Sequence, residues 1–386
     1  MSQREFLDKL KGSRELAERL SNGQLCLNCL GRNFAQVSTG LSNNKRGELV
    51  NRFLGKGKIK NDTCRVCDNI FQSLEHYKDM IIKQTRNIEF ETFQIGTRLS
   101  SELIEKEKYH LERFDAKQCE PLKSEINREL GKLIEKQTNK KFNAKRPDLN
   151  ILVNLETDKV EVSINSIFIL SGYKKLVRNI PQTKWDMYKI TVEGIIAKPF
   201  MKLTKGSGHS LHGAGREDRD ARCLDFRPFV LEIKEPKKRK LPLKELKKEI
   251  NKSKKVQVSD LSFSDKKKVR ELKASKYDKT YRVMIQFEKT FQEPERLKTI
   301  IGTINQKTPS RVLHRRANLL RKRELKNIKW KRINNKRLQL DIKGESGLYI
   351  KELVTGDDGR TSPSVAEKLG PVKVISLDVI KIHKNR

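Results

Sequence analysis

Two pairs of cysteines constrain how the first part of this 386-residue chain can fold. Cys26 and Cys29 form one Cys-x-x-Cys pair, Cys64 and Cys67 form a second, and 34 residues separate the pairs. Each pair places two thiolates on one tight turn, and two such turns supply the four ligands of a tetrahedral zinc ion. Four protein ligands leave no open position on the metal, so the predicted zinc is structural. Four unrelated cysteines, or two redox pairs, are the alternative interpretations.

The charge balance predicts a polyanionic partner. The chain carries 85 Lys and Arg residues against 49 Asp and Glu residues, a formal net charge of +36. Basic clefts concentrate anions and release counterions on binding, which favours nucleic acid first and an anionic membrane surface second. No apolar run approaches the roughly 18 residues that a spanning helix needs, and the polar start lacks a signal-peptide core. We therefore expect a soluble, cytoplasmic protein.

Hydrophobic periodicity divides the chain into two parts, with a boundary expected near residue 175. Residues 1–175 combine helical patterns with two alternating segments, 148–155 and 159–167, that predict strands joined by a turn. Residues 176–386 lack the regular strand–helix alternation of a parallel sheet. Their elements are predicted as strands at 227–233, 279–287, 337–342, 347–354 and 372–382, and as helices at 243–250 and 293–304. The expected fold class is therefore α+β, with a mostly antiparallel sheet and flanking helices in the second part.

Residues 216–223 form a dense segment of mixed charge, in which three carboxylates and three guanidinium groups lie just before an apolar strand. If the backbone is extended here, Arg216, Asp218 and Asp220 point to one side. A carboxylate held by an arginine in a strongly basic chain suits a nucleophile that acts on nucleic acid. Spacing alone does not choose between Asp218 and Asp220, and Glu217 is a third candidate.

Residues 215–222, Gly-Arg-Glu-Asp-Arg-Asp-Ala-Arg, resemble the catalytic segment of pseudouridine synthases, which carry one essential Asp in an Arg-x-Asp setting. With the strand that follows, they are similar to the archaeal and eukaryotic branch that modifies uridines 54 and 55 in the T-arm of tRNA. The two cysteine pairs lie where this branch has zinc, and the strand pattern of the first part is THUMP-like. Other motifs that resemble this branch occur at residues 178–185, 308–316, 347–353 and 355–361.

The resemblance implies a role for each part of the chain. Residues 1–175 would be a zinc-containing, THUMP-like domain that binds tRNA, near the acceptor end. Residues 176–386 would be the pseudouridine synthase catalytic domain, which isomerises uridine with no cofactor in the chemistry. No obligate protein partner and no membrane are inferred.

The resemblance also assigns roles to single residues. Asp218 aligns with the catalytic Asp, which attacks the uridine at C6 of the base or C1′ of the sugar. Arg216 would pair with Asp218 and take the space of the flipped base. Tyr281 would stack on the uracil, and Lys351 would contact the catalytic Asp. The structural alternatives are an ion pair for the charged residues and ordinary packing for the tyrosine.

Two further groups of residues are expected at the site. Apolar residues, Ile350 and Leu377, would close one wall of the uracil pocket, although strand residues of this type also form ordinary core. Basic residues are expected to contact RNA, because the segment 311–337 holds 12 Lys and Arg residues and one Glu. The RNA contacts predicted are Arg222, His314, Arg315 and Arg316.

Two other functions compete with this interpretation. The first is a non-catalytic RNA-binding protein, against which the cluster at 216–222 and its matching Tyr and Lys motifs argue. The second is a different tRNA-modifying enzyme with a similar first domain, such as a methyltransferase or a thiolation enzyme. Those enzymes need a Gly-rich nucleotide-binding loop between a strand and a helix, and Gly206-Ser207-Gly208 is too weak a signal for one.

Overall fold

The computed structural model describes residues 3–37, 39–57, 64–116, 118–185 and 187–384. The chain forms two compact units, Met1–Asn165 and Ser166–Arg386. The division lies ten residues before the boundary predicted near residue 175, because the strand Ile167–Lys175 pairs inside the sheet of the second unit. Within the described residues, each helix is too short or too polar to span a bilayer.

The first unit combines helices with a small sheet. Its helices and strands are α1 (Gln3–Leu10), α2 (Arg14–Ser21), α3 (Leu27–Arg32), α4 (Asn43–Phe53), α5 (Leu74–Thr85), β1 (Thr92–Arg98), α6 (Ser101–Phe114), α7 (Leu122–Thr138), β2 (Lys141–Phe142), β3 (Leu149–Asn154) and β4 (Lys159–Ile164). Short 3-10 helices cover Lys11–Ser13 and Ile70–Gln72. The strands form a sheet in the order β2-β1-β3-β4, in which only the β3–β4 pair is antiparallel.

Helix α7 connects the two apolar cores of the first unit. Leu122, Ile126, Leu130 and Ile134 are fully buried and recur every fourth residue, which places them on one face of the helix. The first two pack into the cluster that contains the four paired cysteines, and the last two pack against the sheet. The cysteine region is therefore part of the hydrophobic core of this unit.

The second unit contains one large sheet with helices against it. Its helices and strands are β5 (Ile167–Lys175), α8 (Val192–Thr204), β6 (Gly208–Gly213), β7 (Arg222–Lys234), α9 (Leu243–Asn251), β8 (Val256–Val258), β9 (Ser262–Ser264), α10 (Lys266–Ala274), β10 (Asp278–Phe287), β11 (Gly302–Lys307), β12 (Leu320–Asn334), β13 (Arg337–Gly344), α11 (Ile350–Thr355), β14 (Thr361–Ser362), α12 (Val365–Leu369) and β15 (Val372–His383). Two 3-10 helices cover Pro294–Ile300 and Ser310–Arg315.

The sheet of the second unit has the order β14-β11-β12-β13-β10-β15-β7-β5-β8, with β6 paired to β7 and β9 paired to β5. Its neighbouring strands run antiparallel, except that β15 and β7 are parallel over two residue pairs, Asp378 with Arg222 and Val379 with Cys223. This confirms the predicted α+β class with a mostly antiparallel sheet. The short parallel contact places β15 beside the start of β7, immediately after the charged segment.

Two predicted elements differ from the structure. Residues 347–354 were expected as a strand, but they contain helix α11, because Ile350, Leu353 and Val354 are buried at helical spacing and Gly356 ends the helix with a φ of +79°. The helix expected at 293–304 is a 3-10 helix, Pro294–Ile300, followed directly by strand β11.

Candidate active site

The loop between β6 and β7 carries the charged segment and forms a turn. Gly215 has a φ of +81°, and a Cβ atom there would lie 3.1 Å from Nη1 of Arg227, so glycine suits this position on both counts. The amide of Ala221 donates a hydrogen bond to the carbonyl oxygen of Asp218 at 3.1 Å and closes the turn. The prediction that residues 216, 218 and 220 share one face of an extended strand is therefore wrong.

The carboxylate of Asp218 is held between two cations. Oδ2 of Asp218 lies 3.3 Å from Nζ of Lys351 and 3.4 Å from Nη2 of Arg311. Lys351 also donates to Asp220, with Nζ 2.8 Å from Oδ2. About a third of the Asp218 side chain, 35%, stays exposed. Asp218 is therefore both charge-paired and open to a ligand.

Asp220 has a different environment from Asp218. Burial would raise the pKa of Asp220, but the hydrogen bond and the charge of Lys351 lower it below its usual value. The turn thus brings both carboxylates to one lysine, and the expected contact between Lys351 and Asp218 is present in the structure. Lys351 makes it from the first turn of α11, although the sequence predicted a strand there.

Arg311 is a site residue that sequence reasoning missed. Its Nε donates to Oε1 of the buried Glu352 at 2.7 Å, while its Nη2 faces Asp218. Glu352 follows Lys351 on α11, so one helix turn orients both cations on Asp218. The signal was present in the motif 308–316, but only its last three residues were singled out.

Arg216 does not make its expected ion pair. Its side chain is exposed, and among the described residues the ion pairs of Asp218 are with Lys351 and Arg311. The cause is the turn, which directs the Asp218 side chain towards α11 and the 3-10 helix Ser310–Arg315. The arginine expected beside the carboxylate is supplied by Arg311, and Arg216 remains free to contact a ligand.

Tyr281, Ile350 and Leu377 come together in one apolar cluster. Ile350 and Leu377 are buried in it, and Tyr281 packs against it from β10. Burial raises the pKa of Tyr281 to about 12; the positive charge of Arg227 opposes this shift and the negative charge of Asp218 adds to it. The phenol is therefore protonated at neutral pH and electrostatically close to Asp218.

Arg222 is occupied by a carboxylate. Its Nε and Nη2 donate to the two oxygens of Asp378 at 3.1 and 2.7 Å, a bidentate pair at the parallel contact between β7 and β15. Arg178 adds a second cation to Asp378 at 2.7 Å. Arg222 was predicted as an RNA contact, but its main partner in the structure is another strand of the sheet.

The three basic residues of the motif 308–316 lie on the surface. His314, Arg315 and Arg316 are exposed at the end of the 3-10 helix, and Nη1 of Arg316 donates to the hydroxyl of Tyr349 at 2.8 Å. They follow Arg311 directly in the chain, so a basic surface lies next to the Asp218 carboxylate. This placement is compatible with the predicted RNA contacts.

Glu217 is removed from the surface by a buried polar network. Its Oε2 lies 2.9 Å from Nε of Arg227, and the hydroxyl of Tyr173 donates to it at 2.9 Å. Gln182 donates to the Tyr173 hydroxyl at 2.8 Å and to the carbonyl of Gly215 at 3.0 Å. Because the Glu217 side chain is 1% exposed, it is a structural support under the turn and not an accessible nucleophile.

The four paired cysteines form one cluster in the first unit. The sulfurs of Cys26, Cys29, Cys64 and Cys67 all lie within 4.8 Å of one another. Cys26 caps the start of α3, where its sulfur accepts from the amide of Cys29 at 3.4 Å. Four sulfurs that each lie about 2.3 Å from a tetrahedral zinc ion are roughly 3.8 Å apart, which is within this limit, and the sulfurs of Cys26 and Cys67 are 3.6 Å apart. The donor set and its burial fit the structural zinc that the sequence predicts.

Comparison with known proteins gives matches over both units. A family described as "Pus10, C-terminal" matches residues 168–383, and "Pus10 THUMP domain, archaeal" matches residues 77–154. Among solved structures, the "Crystal Structure of a Cbf5-Nop10-Gar1 Complex" aligns with 55% of this chain and 48% of that chain, at 14% identity and a TM-score of 0.33. That score is too low to support a conclusion.

Three curated relatives, each named "tRNA pseudouridine synthase Pus10", match over most of their length. The Pyrococcus furiosus protein is 38% identical over 92% of this chain and 93% of its own. The Archaeoglobus fulgidus protein is 40% identical over 85% and 97%, and the Thermoplasma acidophilum protein is 37% identical over 94% and 97%. Identity and coverage at this level, together with the domain matches, show that the chain belongs to the Pus10 family.

Proposed function

We propose that this protein is a tRNA pseudouridine synthase that isomerises uridine 54, uridine 55 or both in the T-arm, with Asp218 as the nucleophile. The observation that carries the proposal is the setting of Asp218: a partly exposed carboxylate on a turn, between Lys351 and Arg311, near the half-buried Tyr281. The names of the curated relatives supply the substrate class.

The reaction is an isomerisation, so the chain needs to supply only a nucleophile and a shaped pocket. The Asp218 carboxylate attacks C6 of the uracil or C1′ of the ribose, and the glycosidic bond from N1 to C1′ breaks. The uracil turns and its C5 bonds to C1′; the bond from Asp218 to C6 or C1′ breaks and releases the carboxylate, and the proton lost from C5 is balanced by one gained at N1. Atoms and electrons balance without a cofactor.

The residues around Asp218 orient this chemistry. Lys351 and Arg311 hold the carboxylate in place, and Tyr281 stacks on the turning uracil. Burial raises the pKa of the Tyr281 phenol to about 12, so it is protonated at neutral pH and can donate a hydrogen bond while it stacks. Ile350 and Leu377, which are buried in the cluster against which Tyr281 packs, are proposed to form the apolar wall of the uracil pocket.

Access to the target base requires its extraction from the T-loop. Unstacking costs on the order of a few kcal/mol, which stacking in the pocket and phosphate contacts offset. His314, Arg315 and Arg316 are exposed next to the carboxylate and supply such contacts, and the exposed Arg216 takes the space that the base leaves. Arg222 contributes less directly, since Asp378 occupies its guanidinium group.

The first unit is proposed to dock tRNA near its acceptor end. An open cavity of about 1010 Å³ in this unit is lined by cations that include Arg19, Arg65 and Arg113, by two carboxylates, Asp68 and Glu105, and by Tyr109, whose exposed fraction is 63%. Cations with an exposed aromatic ring suit single-stranded nucleotides, which stack and bind through phosphates. Zinc, when bound by the four cysteines, stabilises the fold of this unit. Since tRNA is the substrate, the cytoplasm is the proposed location.

Pseudouridine mapping tests the proposal. Unmodified tRNA is incubated with the wild type, Asp218→Asn or Asp220→Asn, and pseudouridine is located by carbodiimide-blocked primer extension. We expect T-arm product with the wild type, none with Asp218→Asn, and slower product with Asp220→Asn, because Asp220 only shares Lys351. Product from Asp218→Asn would show that another residue is the nucleophile. Tight tRNA binding without any product from the wild type would favour a non-catalytic RNA-binding protein.

A further inference from the structure

Three successive carbonyl oxygens of the Asp218 turn receive hydrogen bonds from one short segment, residues 175–179. Nζ of Lys175 donates to the carbonyl oxygens of Asp218 and Arg219, both at 3.0 Å. The backbone amide of Asn179 donates to the Arg219 carbonyl at 2.8 Å. Nη1 of Arg178 donates to the carbonyl of Asp220 at 2.8 Å. Each carbonyl oxygen of residues 218–220 is therefore hydrogen-bonded to this segment.

Lys175 is an unusual residue to find in this place. Its side chain is 0% exposed, and burial lowers the pKa of its ammonium group despite the charge of Glu217 at 4.0 Å. Its third hydrogen bond goes to the carbonyl of Ile180 at 3.0 Å, so all three donors meet main-chain oxygens. Burying an ammonium group is costly, and an apolar residue of similar size often serves stability as well or better. The charged ammonium group here fixes the backbone conformation of the turn.

Lys175 is not needed to neutralise Glu217. That carboxylate already has an ion pair with Arg227 at 2.9 Å and a hydrogen bond from Tyr173. Loss of the Lys175 ammonium would therefore leave Glu217 paired. The turn would suffer more, because the carbonyl of Asp218 would lose its Lys175 donor and the carbonyl of Arg219 would keep only Asn179.

Arg178 fixes the far side of the turn to strand β15. The same Nη1 atom that reaches Asp220 also donates to the carbonyl of Leu377 at 2.8 Å, and Nη2 pairs with Asp378 at 2.7 Å. Leu377 belongs to the apolar cluster on which Tyr281 packs. Arg178 thus fixes the distance between the turn and the apolar side of the site.

We propose that Lys175 and Arg178 are positioning residues, which fix the backbone of residues 218–220 so that the Asp218 carboxylate is held ready for attack. Neither acts on the substrate; both act through the turn. The inference rests on the proposed function and adds to it the segment 175–179, which begins at the boundary that the sequence predicted near residue 175. Since misplacement of a reacting group by 1 Å can cost about a hundredfold in rate, loss of either side chain lowers the chemical rate.

Lys175→Met in the full-length chain is the first test. Single-turnover rates on unmodified tRNA are measured beside the dissociation constant for tRNA. We expect the rate constant to fall by about ten- to a hundredfold, with tRNA binding unchanged. Hydrogen exchange, measured by mass spectrometry on the peptide that spans the turn, is expected to become faster. The matched control is Lys174→Met, whose side chain lies over the ring of Phe226 at 4.5 Å and not on the turn; its rate and exchange should equal those of the wild type.

Arg178→Lys is the second variant, and it tests the positioning role if Lys175→Met does not fold. It keeps the positive charge, so tRNA binding and its salt dependence should stay the same, but a lysine cannot reach Asp220, Leu377 and Asp378 together. Asp378 keeps its bidentate partner Arg222. We expect a lower rate constant and faster exchange at the turn.

The outcomes separate the inference from the function on which it rests. Wild-type rate constants in both variants, or losses that appear only in tRNA binding, would overturn the positioning role while leaving the proposed function intact. No pseudouridine from the wild-type protein would overturn the function and the positioning role with it. Unchanged exchange at the turn in both variants would show that Lys175 and Arg178 do not hold it.

Discussion

The buried carboxylate next to the proposed nucleophile gives the sharpest stability prediction. Glu217 faces Arg227 at 2.9 Å and Lys175 at 4.0 Å, and the three side chains are 0 to 1% exposed. Glu217→Gln keeps the shape of the residue and removes its charge, so two buried cations lose their nearest carboxylate. Removing one partner of a buried ion pair costs about 3–5 kcal/mol, because the remaining charge stays buried without compensation. We expect the free energy of unfolding of the second unit to fall by that amount.

Tryptophan fluorescence isolates this unit. The chain has two tryptophans, Trp185 and Trp330, and both lie in the second unit. Urea unfolding followed at these residues should show a lower midpoint with an unchanged slope. Glu249→Gln is the matched control: Glu249 pairs with Lys252 at 2.7 Å on the surface of α9, so its loss should leave the midpoint in place.

Two results would refute this reasoning. The first is a loss below about 1 kcal/mol in Glu217→Gln, the range of an exposed pair, which would mean that hydrogen bonds alone maintain the network. The second concerns the double variant Glu217→Leu with Arg227→Met. Replacing a buried pair by apolar residues is often neutral. The double variant leaves only Lys175 without its carboxylate, whereas Glu217→Gln leaves both Lys175 and Arg227, so the double variant should be the more stable of the two. If it is less stable, uncompensated charge is not the cause.

Three further predictions concern other parts of the molecule. Cys67→Ser should lose the single zinc ion per chain that elemental analysis of the wild type should show, whereas Cys119→Ser should keep it, because Cys119 lies outside the cluster of four sulfurs. Arg311→Met should lower the single-turnover rate constant at saturating tRNA by about tenfold, roughly 1.4 kcal/mol, since Asp218 loses one of its two cations. Arg316→Met should weaken tRNA binding and keep that rate constant. The reverse pattern would contradict the assignment of Arg311 to the active site and of Arg316 to tRNA binding. Burial lowers the pKa of Lys279 from 10.5 to about 8, so between these pH values the unfolded chain binds one proton more than the folded chain, and the free energy of unfolding rises with pH, a gain that is lost as pH falls to 8. In Lys279→Met this rise between pH 8 and 10.5 should be smaller by up to about 3 kcal/mol. Equal slopes in the variant and the wild type would show that Lys279 titrates normally.

The predictions that were confirmed depended on the spacing of residues close together in the sequence. The cysteine cluster could be predicted because each pair is three residues apart and the chemistry of four thiols is specific. The strand β10 could be predicted because Val283, Ile285 and Phe287 alternate with more exposed residues. The assignment of Asp218 over its rivals came from the family resemblance, and its catalytic role stays a prediction.

Contacts between distant residues were the part that the sequence did not reveal. Glu217 looked like a possible nucleophile until the fold placed Tyr173 and Arg227 around it, 44 and 10 residues away. Arg311 lies 93 positions from Asp218 and is indistinguishable in the sequence from its exposed basic neighbours. Residues 216–220 do not have the expected extended conformation, because Gly215, at positive φ, precedes a turn. The side chains of Lys175 and Arg178 stabilise that turn.

Strand β15 has a consequence for the order in which the site can form during synthesis. It lies in the middle of the sheet, between β10 and β7, and its contact with β7 joins residues 156 positions apart. Sheets closed by such long-range pairs fold slowly, because the loop between the strands must be ordered first. A ribosome adds roughly 5–20 residues per second, and domains fold as units as they emerge. The first unit can therefore fold while the second is still incomplete, and the contacts of Arg222 and Arg178 with Asp378 beside the turn form only after residues 372–383 have been made.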